Sequence, residues 1–175
     1  MPDSKGNLYI YETIAEIKRI SDEMGMIKGI LEIAKRKKDS QLFGTDELQL
    51  SKDVDKEALE TKYDRLSKRK IKLSHALKEA NFTKKGLFKG SEISIAEAIE
   101  TRFSLKTEND DLYENLRASA FDRVIRKEER DIVIPSGIDY RKSHDKYMQI
   151  LDDYKDISNL IHRLNHSEVV NFKDE

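Results

Sequence analysis

The sequence predicts an all-α fold of two long antiparallel helical hairpins, with short β segments at the hairpin bases and tips. Three observations predict it. One structural unit occurs twice, its copies about 84 residues apart. Long stretches carry apolar residues in alternating steps of four and three, the rhythm of a coiled-coil seam. The composition is 38% charged and 7% aromatic with two prolines, which suits long solvated helices better than a thick globular core.

The duplication is read from Leu48-Gln49-Leu50-Ser51-Lys52-Asp53-Val54-Asp55, which aligns with Ile132-Val133-Ile134-Pro135-Ser136-Gly137-Ile138-Asp139. At the same offset Tyr63, Leu66, Leu73, Leu77, Asn81, Thr83 and Phe88 meet Tyr147, Ile150, Ile157, Ile161, Asn165, Ser167 and Phe172. Residues 1–90 are the first helical-hairpin repeat and 91–175 the second, expected to pack as one elongated domain.

In the first helix Ile10, Ile14, Ile17, Met24 and Leu31 form one apolar row. A second row, Ile20, Ile27, Ile30 and Ile33, is expected to meet another subunit. In the second helix Leu59, Tyr63, Leu66, Lys70, Leu73, Leu77 and Ala80 make the hairpin seam, with Lys70 as its polar interruption. The third opens at Ser94-Ile95-Ala96-Glu97, a capping-box pattern that satisfies orphan helix amides, and continues through Ile99, Phe103, Leu112, Leu116 and Ala120. The fourth carries an unbroken seam of Tyr147, Ile150, Tyr154, Ile157, Ile161 and Leu164.

About 15 residues separate the helices of each pair, from Asp39 to Asp53 and from Val124 to Asp139. The short runs Leu48 to Leu50 and Ile132 to Ile134 read as extended segments at the tips, with Pro135-Ser136-Gly137 marking a turn. Leu48, Leu50, Ile132 and Ile134 are therefore candidate tip contacts. At the bases, Leu8 to Ile10, Gly86 to Gly90, Ile93 to Ile95 and Val169 to Phe172 are expected to form one small sheet. Asn81 and Asn165 are expected to end their helices in the left-handed conformation.

Basic and acidic side chains number 33 and 34, so no global attraction to nucleic acid or an anionic membrane is expected. The absence of cysteine excludes disulfides and thiolate metal sites. No secretion-signal pattern and no apolar run of roughly 20 residues is present, so the expected location is cytoplasmic, or virion-associated for a phage-encoded chain.

His162 and His166 have a metal-ligand spacing, with Glu168 nearby. Without a His-Glu-x-x-His pattern they read as surface or capping residues. Asp110-Asp111 and Asp152-Asp153 are neighbours in sequence, and adjacent residues on a helix diverge by about 100°, so they read as solvated-face charges. The clusters Lys35 to Lys38 and Lys68 to Lys70 are surrounded by acids. There is no phosphate loop, nucleophile constellation or cofactor fingerprint. The expectation is a non-enzymatic chain with no catalytic residue, metal or cofactor. Lys70 and Arg102, set in apolar seams, are expected to pair with acids such as Glu12, Glu16 or Asp110 and to fix register.

The stretch from Gly90-Ser91-Glu92-Ile93-Ser94-Ile95-Ala96-Glu97-Ala98-Ile99-Glu100-Thr101-Arg102 to Leu105-Lys106, with Asn81-Phe82-Thr83 before it, resembles the septicolysin-like proteins of bacteria. The resemblance implies paired helical hairpins, a symmetric homo-oligomer such as a hexamer, and no transferable catalytic residue. The functional expectation is a structural or assembly protein acting through coiled-coil-like self-association and partner binding, for instance as a component of a larger, phage-type particle. The alternatives are an adaptor or inhibitor that binds another protein through the hairpin tips, and a membrane-active oligomer of the kind the family name implies.

Overall fold

The computed structural model describes residues 7–36, 50–128 and 130–172. Leu48 and Lys37 to Gln49 as a whole lie outside them. The chain is mainly helical: α1 (Ile10–Arg36), α2 (Lys56–Thr83), α3 (Ile95–Ser119) and α4 (Tyr140–Ser167). Six short strands accompany them: β1 (Asn7–Tyr9), β2 (Lys85–Phe88), β3 (Ser91–Ser94), β4 (Arg123–Ile125), β5 (Ile132–Ile134) and β6 (Val169–Asn171).

The four basal strands make two separate antiparallel pairs, β1 with β6 and β2 with β3, where one small sheet was expected. Leu8 lies opposite Val170, and Gly86 opposite Ile93. Two compact units result: Met1–Ala80 with Asn165–Glu175, and Asn81–Leu164. These units cut across the sequence repeats. Strand β6, at the end of the second repeat, pairs in the first unit, and β2, from the first repeat, pairs in the second.

In the first unit Ile20, Ile27, Leu66, Leu73 and Phe172 form one buried cluster, with Ile17, Met24, Leu31, Leu59 and Tyr63 packed on it. This corrects the expectation for α1. Ile20 and Ile27 are fully buried inside their own hairpin, Ile30 is half-buried, and Ile33 is exposed. The seam of α1 is Ile10, Thr13, Ile17, Ile20, Met24, Ile27 and Leu31, an unbroken alternation of three and four. Thr13 hid it in the sequence. Its hydroxyl donates to the Tyr9 carbonyl (3.1 Å), which satisfies a polar group in an apolar row.

Charges flank this seam. Glu23 accepts from Lys62 (2.6 Å) and Glu16 lies 3.5 Å from Arg69, both pairs spanning α1 and α2, while Arg19 ties Glu16 to Glu23 along α1. The hydrogen bond from Arg19 lowers the Glu16 carboxyl below its ordinary value, and the bond from Lys62 does the same for Glu23. Arg69, Arg19 and Lys62 are thus the cations that meet these acids. The expected pairing of Glu16 with the seam residue Lys70 is replaced by one with Arg69, which stands at the seam's edge.

In the second unit the row of α3 runs through buried Ile95, Ala98, Leu112 and Ser119 and half-buried Arg102, Leu105, Asn109 and Leu116, again in steps of three and four, with Ala96, Ile99 and Thr101 half-buried beside it. Phe103, expected in the row, is 69% exposed. On α4 Ile157, Leu160, Ile161 and Leu164 are buried, and Tyr147, Ile150 and Tyr154 half-buried. The Tyr113 and Tyr147 rings lie 6.1 Å apart, from α3 to α4.

The helix starts repeat with their hydrogen bonds. The Glu12 carboxylate accepts from the Tyr9 amide (2.9 Å), and that of Glu97 from the Ser94 amide (2.7 Å). The Ile10 amide donates to the Glu168 carbonyl (3.0 Å), and the Ile95 amide to that of Lys84 (3.1 Å). Each opening helix is therefore closed on the residue that follows a second helix. The expected left-handed ends at Asn81 and Asn165 do not occur. α2 runs on to Thr83 and α4 to Ser167, and among the described residues the only non-glycine with positive φ is Lys89. With Gly90, Lys89 forms the tight β2–β3 turn, where two consecutive positive φ values suit the twist of a hairpin.

Candidate functional site

The tip of the second unit joins α3 to α4 through a two-stranded ribbon. α3 ends at Ser119, whose hydroxyl donates to the Leu116 carbonyl (2.7 Å). Strands β4 and β5 then pair antiparallel, with Arg123 opposite Ile134, Val124 opposite Val133 and Ile125 opposite Ile132. The charged run Arg126 to Asp131 connects them.

Ser136 ties the end of β5 to the segment before β4 and to the turn that leads into α4. Its amide donates to Asp122 Oδ1 (3.2 Å), its hydroxyl accepts from the Ile138 amide (3.3 Å), and the same hydroxyl lies 3.2 Å from the Ile138 carbonyl. Gly137, with φ of +72°, supplies the left-handed turn that this loop requires. Asp139 then caps α4, its carboxylate accepting from the Lys142 amide (3.1 Å). Asp55 caps α2 in the same way, accepting from the amides of Glu57 and Ala58.

The ribbon presents apolar side chains to solvent. Val124 and Val133 face the same way, 51% and 58% exposed, and Phe121 is 73% exposed. Ile134, Ile138 and Tyr140 are each more than two-fifths exposed, whereas Ile125 and Ile132 are half-buried. Of the candidate tip contacts, Ile134 and Leu50 are exposed, Ile132 is partly covered, and Leu48 lies outside the described residues. Sequence reasoning missed Phe121, Val124 and Ile138. The alternation in Arg123-Val124-Ile125 was the available signal for Val124.

The remaining sequence candidates do not converge. His166 stacks on Tyr11 at 4.4 Å between ring centroids, and His162 is exposed. Among the described residues no group of three His, Cys, Asp or Glu side chains could hold a metal ion. Two open clefts in the first unit, one beside Ile71, His75 and Phe172 and one beside Leu31, Tyr63 and Asp64, gather no nucleophile and base within reach of each other among the described residues. No helix among the described residues is long and apolar enough to cross a membrane.

No protein-family model and no curated protein matches this sequence. Its fold is similar to that in a crystal structure of a functionally unknown conserved protein from Corynebacterium diphtheriae. The TM-score is 0.61 at 15% identity, over 94% of this chain and 99% of that one. The likeness establishes a shared fold.

Proposed function

We propose that this protein is a non-enzymatic structural or assembly protein that acts by self-association through the tip of its second hairpin. The observation that carries the reading is the exposed apolar ribbon of Phe121, Val124, Val133 and Ile134, closed by the Ser136 hydrogen bonds. An isolated two-stranded ribbon is marginally stable in water, and exposed apolar patches mark interaction sites. Ile20 and Ile27 are buried within their own hairpin, which supports the tip over that row as the contact.

Light scattering on a sizing column tests the reading with the full chain. The expected result is a mass above that of one chain, rising with concentration, and falling to a single chain when Val124 and Val133 are both replaced by Asp. A single-chain mass at every concentration would refute it and leave the ribbon to a different kind of partner.

A further inference from the structure

Resting on the assembly reading, we infer that the contact is a two-fold pairing of β4 with β4 of a second copy, in the antiparallel register centred on Val124. The two outer edges of the ribbon are not equivalent. β5 is followed at once by Pro135, which has no amide to donate, and proline next to a strand blunts an edge. β4 carries neither proline nor glycine, so its outer edge keeps a full set of backbone groups for another strand.

The flanking charges select the occupant and the register. Antiparallel pairing about Val124 places Arg123 opposite Ile125 of the other copy, and Asp122 opposite Arg126 of the other copy. Two-fold symmetry makes each such contact twice, so one interface contains two Asp122–Arg126 pairs. Opposite charges directly across an antiparallel pair stabilise it, and like charges destabilise it. Asp122, Val124 and Arg126 alternate onto one face of the strand, the face on which Val124 and Val133 are exposed. The four-stranded sheet β5-β4-β4-β5 then gathers four valines between two ion pairs.

Shifting the register by two residues loses these pairs: centring on Arg123 sets Arg123 against itself, and centring on Ile125 sets Asp122 against Glu128 and Arg123 against Lys127. A lipid surface is the poorer occupant. Between residues 121 and 142 there are six basic and five acidic side chains, so the tip offers an anionic bilayer almost no net charge.

Charge reversal tests the register. Arg126→Asp alone places Asp122 against an aspartate and should self-associate at least about tenfold more weakly. Asp122→Arg alone places Arg126 against an arginine but also removes the acceptor of the Ser136 amide, so it serves as the partner for rescue and Arg126→Asp as the register test. Mixed in equal amounts, the two variants regain both opposite-charge pairs in the heterodimer, and light scattering should show association restored to near the wild-type level. This recovery also shows that both variants fold.

If the wild-type chain associates but Arg126→Asp does not weaken it, or if mixing restores nothing, the β4 register is overturned and the assembly reading stands. A wild-type chain of single mass at all concentrations overturns both. Sedimentation of that monomer with phosphatidylserine vesicles, lost with Val124→Asp, would hand the ribbon to a lipid surface.

Discussion

Replacing Ile20 with Ala separates an internal seam from a subunit interface. Ile20 is fully buried in a cluster with Ile27, Leu66, Leu73 and Phe172. Truncation removes transfer energy and leaves a cavity that a helix-helix seam closes only in part, and buried Ile→Ala changes cost about 2–5 kcal/mol. Taking about 3 kcal/mol, and about 2 kcal/mol per molar for urea, the unfolding midpoint should fall by about 1.5 M. Ile33, from the same expected row, is 53% exposed, and its Ala variant should change stability by less than about 0.5 kcal/mol. The assay is urea unfolding followed by far-UV circular dichroism at two protein concentrations tenfold apart. A contact inside one chain gives the same difference from wild type at both concentrations, whereas a contact between chains gives one that scales with concentration. A cost for Ile20→Ala below about 1 kcal/mol, or a difference that moves with concentration, would refute the internal seam.

Three further outcomes follow from local geometry. A Cβ at Gly86 would sit 2.6 Å from Leu160 Cδ1 and 3.1 Å from Leu164 Cδ1, so Gly86→Ala should cost about 1–3 kcal/mol by overpacking. Leu160→Ala should then cost less in that background than in wild type, which a double-mutant cycle in urea measures. Ser94→Ala breaks the capping box at α3, where the hydroxyl accepts from the Glu97 amide (3.2 Å), and should lower stability by about 1 kcal/mol in the same assay. Acid should weaken the fold through Glu16, Glu23 and Glu97, whose carboxyls are all lowered from an ordinary value of 4.5. A lowered carboxyl contributes stability that is present above the unfolded value and lost as pH falls through the folded one. Thermal midpoints should therefore drop below pH about 4.5, and less steeply in the Glu16→Gln, Glu23→Gln double variant.

The helices were legible because heptad spacing is a property of sequence alone. The seams of α2 and α4 follow directly from Leu66, Leu73, Ile157 and Leu164. The seam of α1 was not, because isoleucines at 14, 30 and 33 compete with the buried set, and a hydrophobic side chain on the exposed face looks the same in sequence. Thr13 and Ser119 compounded the difficulty: each is buried, and each is satisfied by a carbonyl on its own helix, at Tyr9 and Leu116. Arg102 and Asn109, both half-buried, interrupt the α3 row with polar side chains. Strand partners were illegible for another reason. The four basal segments are short and similar, and which pairs with which depends on where the helices return them. At the tip, Ile132 to Ile134 announced one strand, but β4 has only Val124 and Ile125 as apolar residues and borrows its identity from its partner.

The repeat itself locates where the two copies are free to differ. Along the opening helices the equivalence is Ile10 with Ile95, Ile20 with Leu105 and Leu31 with Leu116, an offset of 85 residues. Along the closing helices it is Asp55 with Asp139 and Leu66 with Ile150, an offset of 84. One residue has therefore been lost or gained between Leu31 and Asp55, or between Leu116 and Asp139. Within a helix such a change would rotate every following side chain by about 100° and carry the seam out of the core. A tip absorbs it without cost to either seam, because the cap at Asp55 or Asp139 restarts the helix regardless of what precedes it. The bases are held by matching hydrogen bonds at Ile10 and Ile95, so they constrain both copies alike. The same argument that makes the bases scaffold makes the tips the place where sequence is released from packing. There the second copy carries Phe121, Val124, Val133 and Ile134 into solvent, a choice of residues that neither seam requires.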